Sequence, residues 1–166
     1  MRNARVTLSV VAVMLLAAGA AGSQTNEPAA WGKLKSLEGQ WQSTLSTGQT
    51  STVSYQVMSS GSAVLEIINT LDEGNMVSVY HLDGERLMMT HYCGAGNQPR
   101  MVASVGGDAN HLRFVTQSVT NLKDPNSGHM SAVEFTFRDA NHVTQVWTWQ
   151  DHGKETSETF QLERKK

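Results

Sequence analysis

Between Gln40 and Glu163 the sequence is cut at short intervals by turn-forming residues, and this punctuation constrains the fold more than any other feature. Ser60-Gly61, Asp72-Glu73-Gly74, Asp83-Gly84, Gly94 to Asn97, Gly106 to Asn110, Asp139 to Asn141 and Asp151 to Gly153 separate segments rich in Val, Ile, Thr, Tyr, Phe and Trp. The segments are 40–45, 51–58, 62–69, 75–82, 86–93, 98–105, 111–118, 131–138, 142–150 and 155–163. Each has strand length, and the short connections demand antiparallel neighbours. Ten such strands predict an all-β, up-and-down meander that curls and closes into a barrel, because closure removes exposed edges. A ten-strand barrel encloses more room than an eight-strand one, so an internal cavity is compatible with it. The one long connection, Val119 to Met130, is polar and reads as a portal loop or a surface excursion.

Several turns set registers. Asp83-Gly84 between apolar runs predicts a two-residue hairpin loop with Leu82 opposite Glu85. Asp-Ala-Asn-His occurs at 108–111 and again at 139–142, each time between strand-like segments. A three-residue loop with a left-handed Asn fits both. It places Phe137 opposite Val143, Phe135 opposite Gln145 and Val133 opposite Trp147.

Ahead of the strands, Ala30, Trp31, Leu34 and Leu37 recur at helical spacing, which predicts a short helix over 29–38 ended by Glu38-Gly39. Further upstream, Arg2 and Arg5 precede an apolar run from Val6 to Leu16, and small residues follow from Ala17 to Gly22. This is the pattern of a secretory signal over 1–22, cut near Ala20 to Gly22. The apolar run is too short for a membrane span of about 20 residues, so no stable membrane insertion is expected. The expected location is periplasmic or secreted.

The remaining chain of about 144 residues is a single-domain length, expected as one barrel domain over 23–164. Without Arg2 and Arg5, eleven basic residues stand against fifteen acidic ones, a net charge of −4. With no basic stripe, nucleic acid is excluded as a partner class. Cys93 is the only cysteine, so no internal disulfide forms and packing alone must hold the fold.

The candidate site centres on Thr90 to Met101, which joins that cysteine to His91 and Arg100. If Cys93 pairs with Gln98, strand alternation gathers Ser78, Tyr80, His91, Cys93, Gln98 and Arg100 on one face, among Met76, Leu87 and Met89. The opposite face carries Val77, Val79, His81, Met88, Thr90 and Tyr92. Both faces are half apolar, so the pattern leaves open which one looks inward. If the first does, Arg100, His91 and Tyr80 can grip an anionic head group, a guanidinium being suited to forked binding of a carboxylate. Ser78, Met89 and Trp147 then belong to the wall of a pocket for a small apolar or amphipathic ligand. The other reading makes Arg100 a tie for the turn and His91 a satisfied sheet residue.

Catalysis by Cys93 is less well supplied. His91 lies about 7 Å from it along one strand face, at a rise of about 3.3 Å per residue, and no third group orients the histidine. No tight histidine pair or cysteine motif signals a metal site. An enzyme working in the barrel mouth through His91, Cys93 or Arg100, and a filled barrel that only docks proteins, remain the alternatives to a binding protein. The sequence identifies no protein partner.

At Gly39-Gln40-Trp41, following the short helix and opening the first strand, the chain resembles the calycin superfamily of lipocalins, fatty-acid-binding proteins and nitrobindins. The stretch VYHLDGERLMMTHYCGAGNQPRM, Val79 to Met101, is similar to a bacterial family of lipocalin-like exported proteins without an assigned function. The likeness covers Leu34 to about Leu162 and implies a barrel with a small-ligand cavity, but no reaction. The distant likeness to nitrobindins implies heme held by a histidine near the end of the barrel. From Lys154 onward this chain has no histidine, so no cofactor is expected.

Overall fold

A computed structural model describes residues 27–45, 47–70, 74–104 and 107–166. The segment read as a signal, the turn residues Asp72-Glu73 and Val105-Gly106 lie outside them. A short helix, α1 (Ala29–Lys35), precedes ten strands: β1 (Gly39–Leu45), β2 (Thr50–Met58), β3 (Ala63–Thr70), β4 (Gly74–Asp83), β5 (Arg86–Tyr92), β6 (Gln98–Ser104), β7 (His111–Thr120), β8 (His129–Phe137), β9 (His142–Asp151) and β10 (Lys154–Arg164). Each strand pairs antiparallel with its sequence neighbours, and β1 pairs with β10 to close the barrel. No wall strand is left with an open edge, as the turn spacing predicted. The long connection is shorter than expected because β7 runs on to Thr120 and β8 begins at His129.

The turns explain which side chains face inward. Both Asp-Ala-Asn-His loops build the same hydrogen bond: the Asn110 backbone N–H donates to Asp108 Oδ1 at 2.9 Å, and that of Asn141 to Asp139 Oδ1 at 2.7 Å. The expected left-handed asparagines are therefore not used, since the aspartate side chain makes the turn itself. The register of β8 on β9 is nonetheless the one expected, with Phe135 opposite Gln145 and Val133 opposite Trp147. At Asp83-Gly84 the loop is Gly84-Glu85 and Asp83 pairs with Arg86, so Leu82 stands opposite Leu87 rather than Glu85. A shift of two leaves every side chain on its expected face. Met76, Ser78, Tyr80, Leu87, Met89 and His91 all point into the barrel and are buried.

One end of the barrel is closed. Trp31, Leu34 and Leu37 bury against it, and Trp41 Nε1 donates to the Leu37 carbonyl at 2.7 Å. Arg164 lies over the Trp41 ring at 4.2 Å. Its guanidinium donates to the carbonyls of Ser36 and Glu38, acceptors left free just beyond α1, and to that of Ala140 in the β8–β9 turn, and so ties the two together. Odd-numbered strands start at this end and even-numbered strands finish there. In the lower half, Tyr80, Phe114 and Phe135 meet edge to face, with centroids 5.6 to 6.2 Å apart.

Candidate functional site

The β5–β6 turn corrects the sequence reading at its most consequential residue. The Cys93 backbone N–H donates to the Asn97 carbonyl at 3.2 Å, so the loop is Gly94-Ala95-Gly96, one residue shorter than expected. Gly96 takes a φ of 81°, the left-handed conformation a three-residue hairpin loop needs at its end. Arg100 accordingly pairs with Thr90, not His91. A slip of one residue turns a whole strand over. Gln98 and Arg100 therefore stand on the outer wall, with Arg100 exposed, while Pro99, Met101 and Ala103 point inward. Arg100 cannot grip a ligand head group inside the barrel. The other five residues singled out for the pocket, Ser78, Tyr80, Met89, His91 and Trp147, do line the interior.

At mid-height the lumen is crossed by a belt of polar side chains. Glu66 on β3 is fully buried and accepts three hydrogen bonds: from Tyr55 Oη at 2.5 Å and Gln145 Nε2 at 2.6 Å on Oε1, and from Tyr80 Oη at 2.7 Å on Oε2. Gln145 Nε2 also reaches Tyr55 Oη at 2.6 Å, and Gln145 Oε1 accepts from Trp147 Nε1 at 3.3 Å. A carboxylate removed from water needs such donors to be tolerated. Burial, and then the charge of Glu66, push the Tyr55 and Tyr80 phenols up, well above 10.0. Both therefore remain proton donors to the carboxylate.

The belt continues toward the end of the barrel away from α1. Ser78 Oγ lies 3.0 Å from His91 Nδ1, and the His91 ring packs on Trp147 at 4.7 Å between centroids. His91 and Trp147 sit on β5 and β9, so this contact bridges the lumen. Burial lowers the His91 imidazole to about 4, which keeps it neutral at ordinary pH. Its second nitrogen, Nε2, is buried without a hydrogen-bond partner.

Four buried polar atoms share that condition among the described residues: Ser43 Oγ, Ser51 Oγ, His91 Nε2 and Asn97 Oδ1. Their residues are 0, 6, 1 and 5% exposed. All lie in the half of the barrel away from α1, because Ser43 and His91 are late on odd strands while Ser51 and Asn97 lie at the start of even ones. Ser43 and Ser51 face each other across the β1–β2 ladder.

The connection between β7 and β8 folds over this half. Asn97 Nδ2 donates to the Gly128 carbonyl at 2.9 Å, Asn121 Nδ2 to Gly96 O at 2.6 Å, and the His152 backbone N–H to Asn126 O at 2.9 Å. The Trp149 ring lies flush on Gly128, where an added Cβ would come within 2.2 Å of it. Two hollows of about 440 Å³ lie elsewhere, one on the outer wall of β1, β9 and β10 and one between α1 and the barrel end. None of the four unpaired atoms belongs to a residue lining either hollow. Among the described residues no cluster of three or more His, Cys, Asp or Glu side chains is placed to hold a metal ion.

Glu66, Tyr55 and Gln145 were absent from the sequence-based candidates. The signal available for Glu66 was a lone acid between Val64 and Ile68 at strand spacing, but Leu65 and Ile67 make the other face of β3 equally apolar.

In fold the chain resembles Rv2717c from M. tuberculosis, known from its crystal structure. The likeness has a TM-score of 0.60 over 82% of this chain and 98% of that one, at 12% sequence identity, and is one of fold alone. The ten-strand antiparallel barrel and this likeness fit the calycin-like fold expected from the sequence. No protein-family model matches the chain, and no curated protein matches it in sequence.

Proposed function

We propose that this chain is an exported binding protein that holds a small, uncharged amphipathic molecule in the half of its barrel away from α1. The observation carrying this reading is the group of four unpaired polar atoms at Ser43, Ser51, His91 and Asn97. Buried polar groups in natural interiors are almost always paired, and each orphan costs about 1–3 kcal/mol. A molecule offering its own donors and acceptors supplies the missing partners. Aliphatic and sulfur side chains beside them, Ile68, Met76 and the half-buried Met130, suit its apolar part.

The charge of the ligand follows from its surroundings. An anionic head group would approach the Glu66 carboxylate with Arg100 outside the wall and His91 neutral. A cation would compete for carboxylate oxygens that already accept from Tyr55, Tyr80 and Gln145. An uncharged molecule incurs neither cost. Export rests on the amino-terminal sequence pattern of Arg2, Arg5 and the apolar run behind them.

The test is native mass spectrometry of the chain recovered from the cell envelope, beside a Ser43→Ala/Ser51→Ala double variant. The expected result is an adduct of about a few hundred daltons, drug-sized by the usual scale of such pockets, which the double variant loses. An adduct that carries a formal charge, or that the double variant retains in full, contradicts the reading.

A further inference from the structure

The outer wall of the barrel has two different halves. On β1, β2 and β10 the outward positions are Gln42, Thr44, Thr52, Ser54, Gln161 and Glu163, as expected of a wall facing water. In the middle of β3 to β5 they are largely apolar, and Val102 on β6 and Val115 on β7 extend them, with His81, Thr90 and Arg100 set among them. Leu65 stands beside Val79, Ile67 beside Val77, and Val77 beside Tyr92. In the next row Met88 stands beside Val102, and Val102 beside Val115. Tyr92 is 51% exposed and Val115 40%.

We propose that this face docks a second copy of the chain, sheet on sheet, about a two-fold axis. Five strands about 4.8 Å apart, crossed by rows spanning about 15–20 Å, give a projected footprint of about 400 Å². Its apolar part, set around His81, Thr90 and Arg100, is within the size of the biggest apolar patch of a typical monomer. With its rim it approaches the roughly 800 Å² per partner of a standard stable interface. Sheet faces pack on one another in this manner, about 10 Å apart.

The chemistry favours a copy of the same chain. Among the described residues, the outward positions of these rows on β3 to β6 carry Arg100 and His81 and no acid, while Asp83 and Arg86, outward in the row nearer α1, pair with each other. The face thus offers little charge pattern for a different protein, and one arginine falls short of the basic clusters that hold peripheral proteins to anionic membranes. A two-fold contact needs only self-complementarity. The row Gln56–Leu65–Val79–Thr90–Arg100 runs across β2 to β6 with Val79 at its centre. An axis along the strand direction at Val79 brings Arg100 of one copy over Gln56 of the other, whose side-chain carbonyl accepts from a guanidinium.

Sedimentation velocity on the full chain, from about 1 to 100 μM, tests this across the usual range for dimers of this interface size. The expected result is a species of twice the monomer mass. Val79→Glu should weaken it by about 100-fold or more, as for a charge placed at an interface centre. Gln42→Glu on the polar wall should leave it intact. Tyr92→Glu repeats the test at a position exposed enough to leave the barrel folded, with circular dichroism checking each variant. A wild-type chain that stays monomeric at about 100 μM, a dimer that survives both variants, or a monomer that instead pellets with phosphatidylglycerol vesicles overturns the proposal.

Discussion

His91 should make the protein acid-labile by an amount that can be worked out. Its imidazole is buried against Trp147 and held at about 4, below the ordinary 6.5 of an unfolded chain. A group whose folded value is depressed in this way contributes stability that is fully present above 6.5. As the pH falls from 6.5 toward about 4, the unfolded chain takes up a proton that the folded barrel refuses, and the contribution is lost. Between about pH 7.5 and pH 5 the linkage relation gives a loss of about 2 kcal/mol from this residue. Other titrating groups contribute too, so the informative quantity is a difference between wild type and His91→Gln, which keeps a polar side chain but does not titrate. Urea unfolding at the two pH values should show the wild type losing about 2 kcal/mol more than the variant. Histidine NMR on the full chain should place the His91 titration well below 6.5, at about 4. Parallel losses in the two proteins, or a His91 titration near 6.5, would refute the argument that burial controls this ring.

Two further perturbations probe the belt and the loop above it. Tyr80→Phe removes a donor at 2.7 Å from a buried carboxylate and should cost about 1.5–3 kcal/mol in denaturant unfolding. In a Glu66→Leu background the same change should cost well under about 1 kcal/mol, and additive effects would mean that the two residues are not coupled. Gly128→Ala should displace the Trp149 ring, since the new methyl would fall 2.2 Å from it. Overpacking of this kind costs about 1–3 kcal/mol, and the displaced indole should be quenched more readily by acrylamide. A second change, Trp149→Leu, should restore the lost stability. If it does not, the loop is not seated on that ring.

The barrel was legible because its turns are written locally. Asp-Ala-Asn-His fixed the β8–β9 register even though the turn is made by the aspartate side chain rather than by a left-handed asparagine. Arg100 was misplaced because the loop after Cys93 offers two lengths from the same glycine-rich letters, and the choice between them decides which face every β6 residue occupies. The inward face of β3 to β5 was illegible for a different reason. Leu65, Ile67, Val77, Val79 and Met88 make the outer wall as apolar as the inner one, so alternation alone carried no direction. Glu66 was hidden by the same ambiguity, and its partners come from β2, β4 and β9, a convergence that only barrel closure creates. The unpaired atoms are likewise invisible in sequence, since serine and asparagine carry no mark of whether a neighbour will meet them.

The central claim is that the half of this barrel away from α1 selects an uncharged ligand. It is tested most directly by isothermal titration of the wild-type chain with three compounds of one chain length: an alcohol, a carboxylate and an amine. The alcohol should bind best, with the carboxylate weaker by about tenfold or more, the scale expected from a head group left without a counter-charge. Arg100→Met should change none of the three affinities. Tightest binding of the carboxylate, abolished by Arg100→Met, would contradict the account.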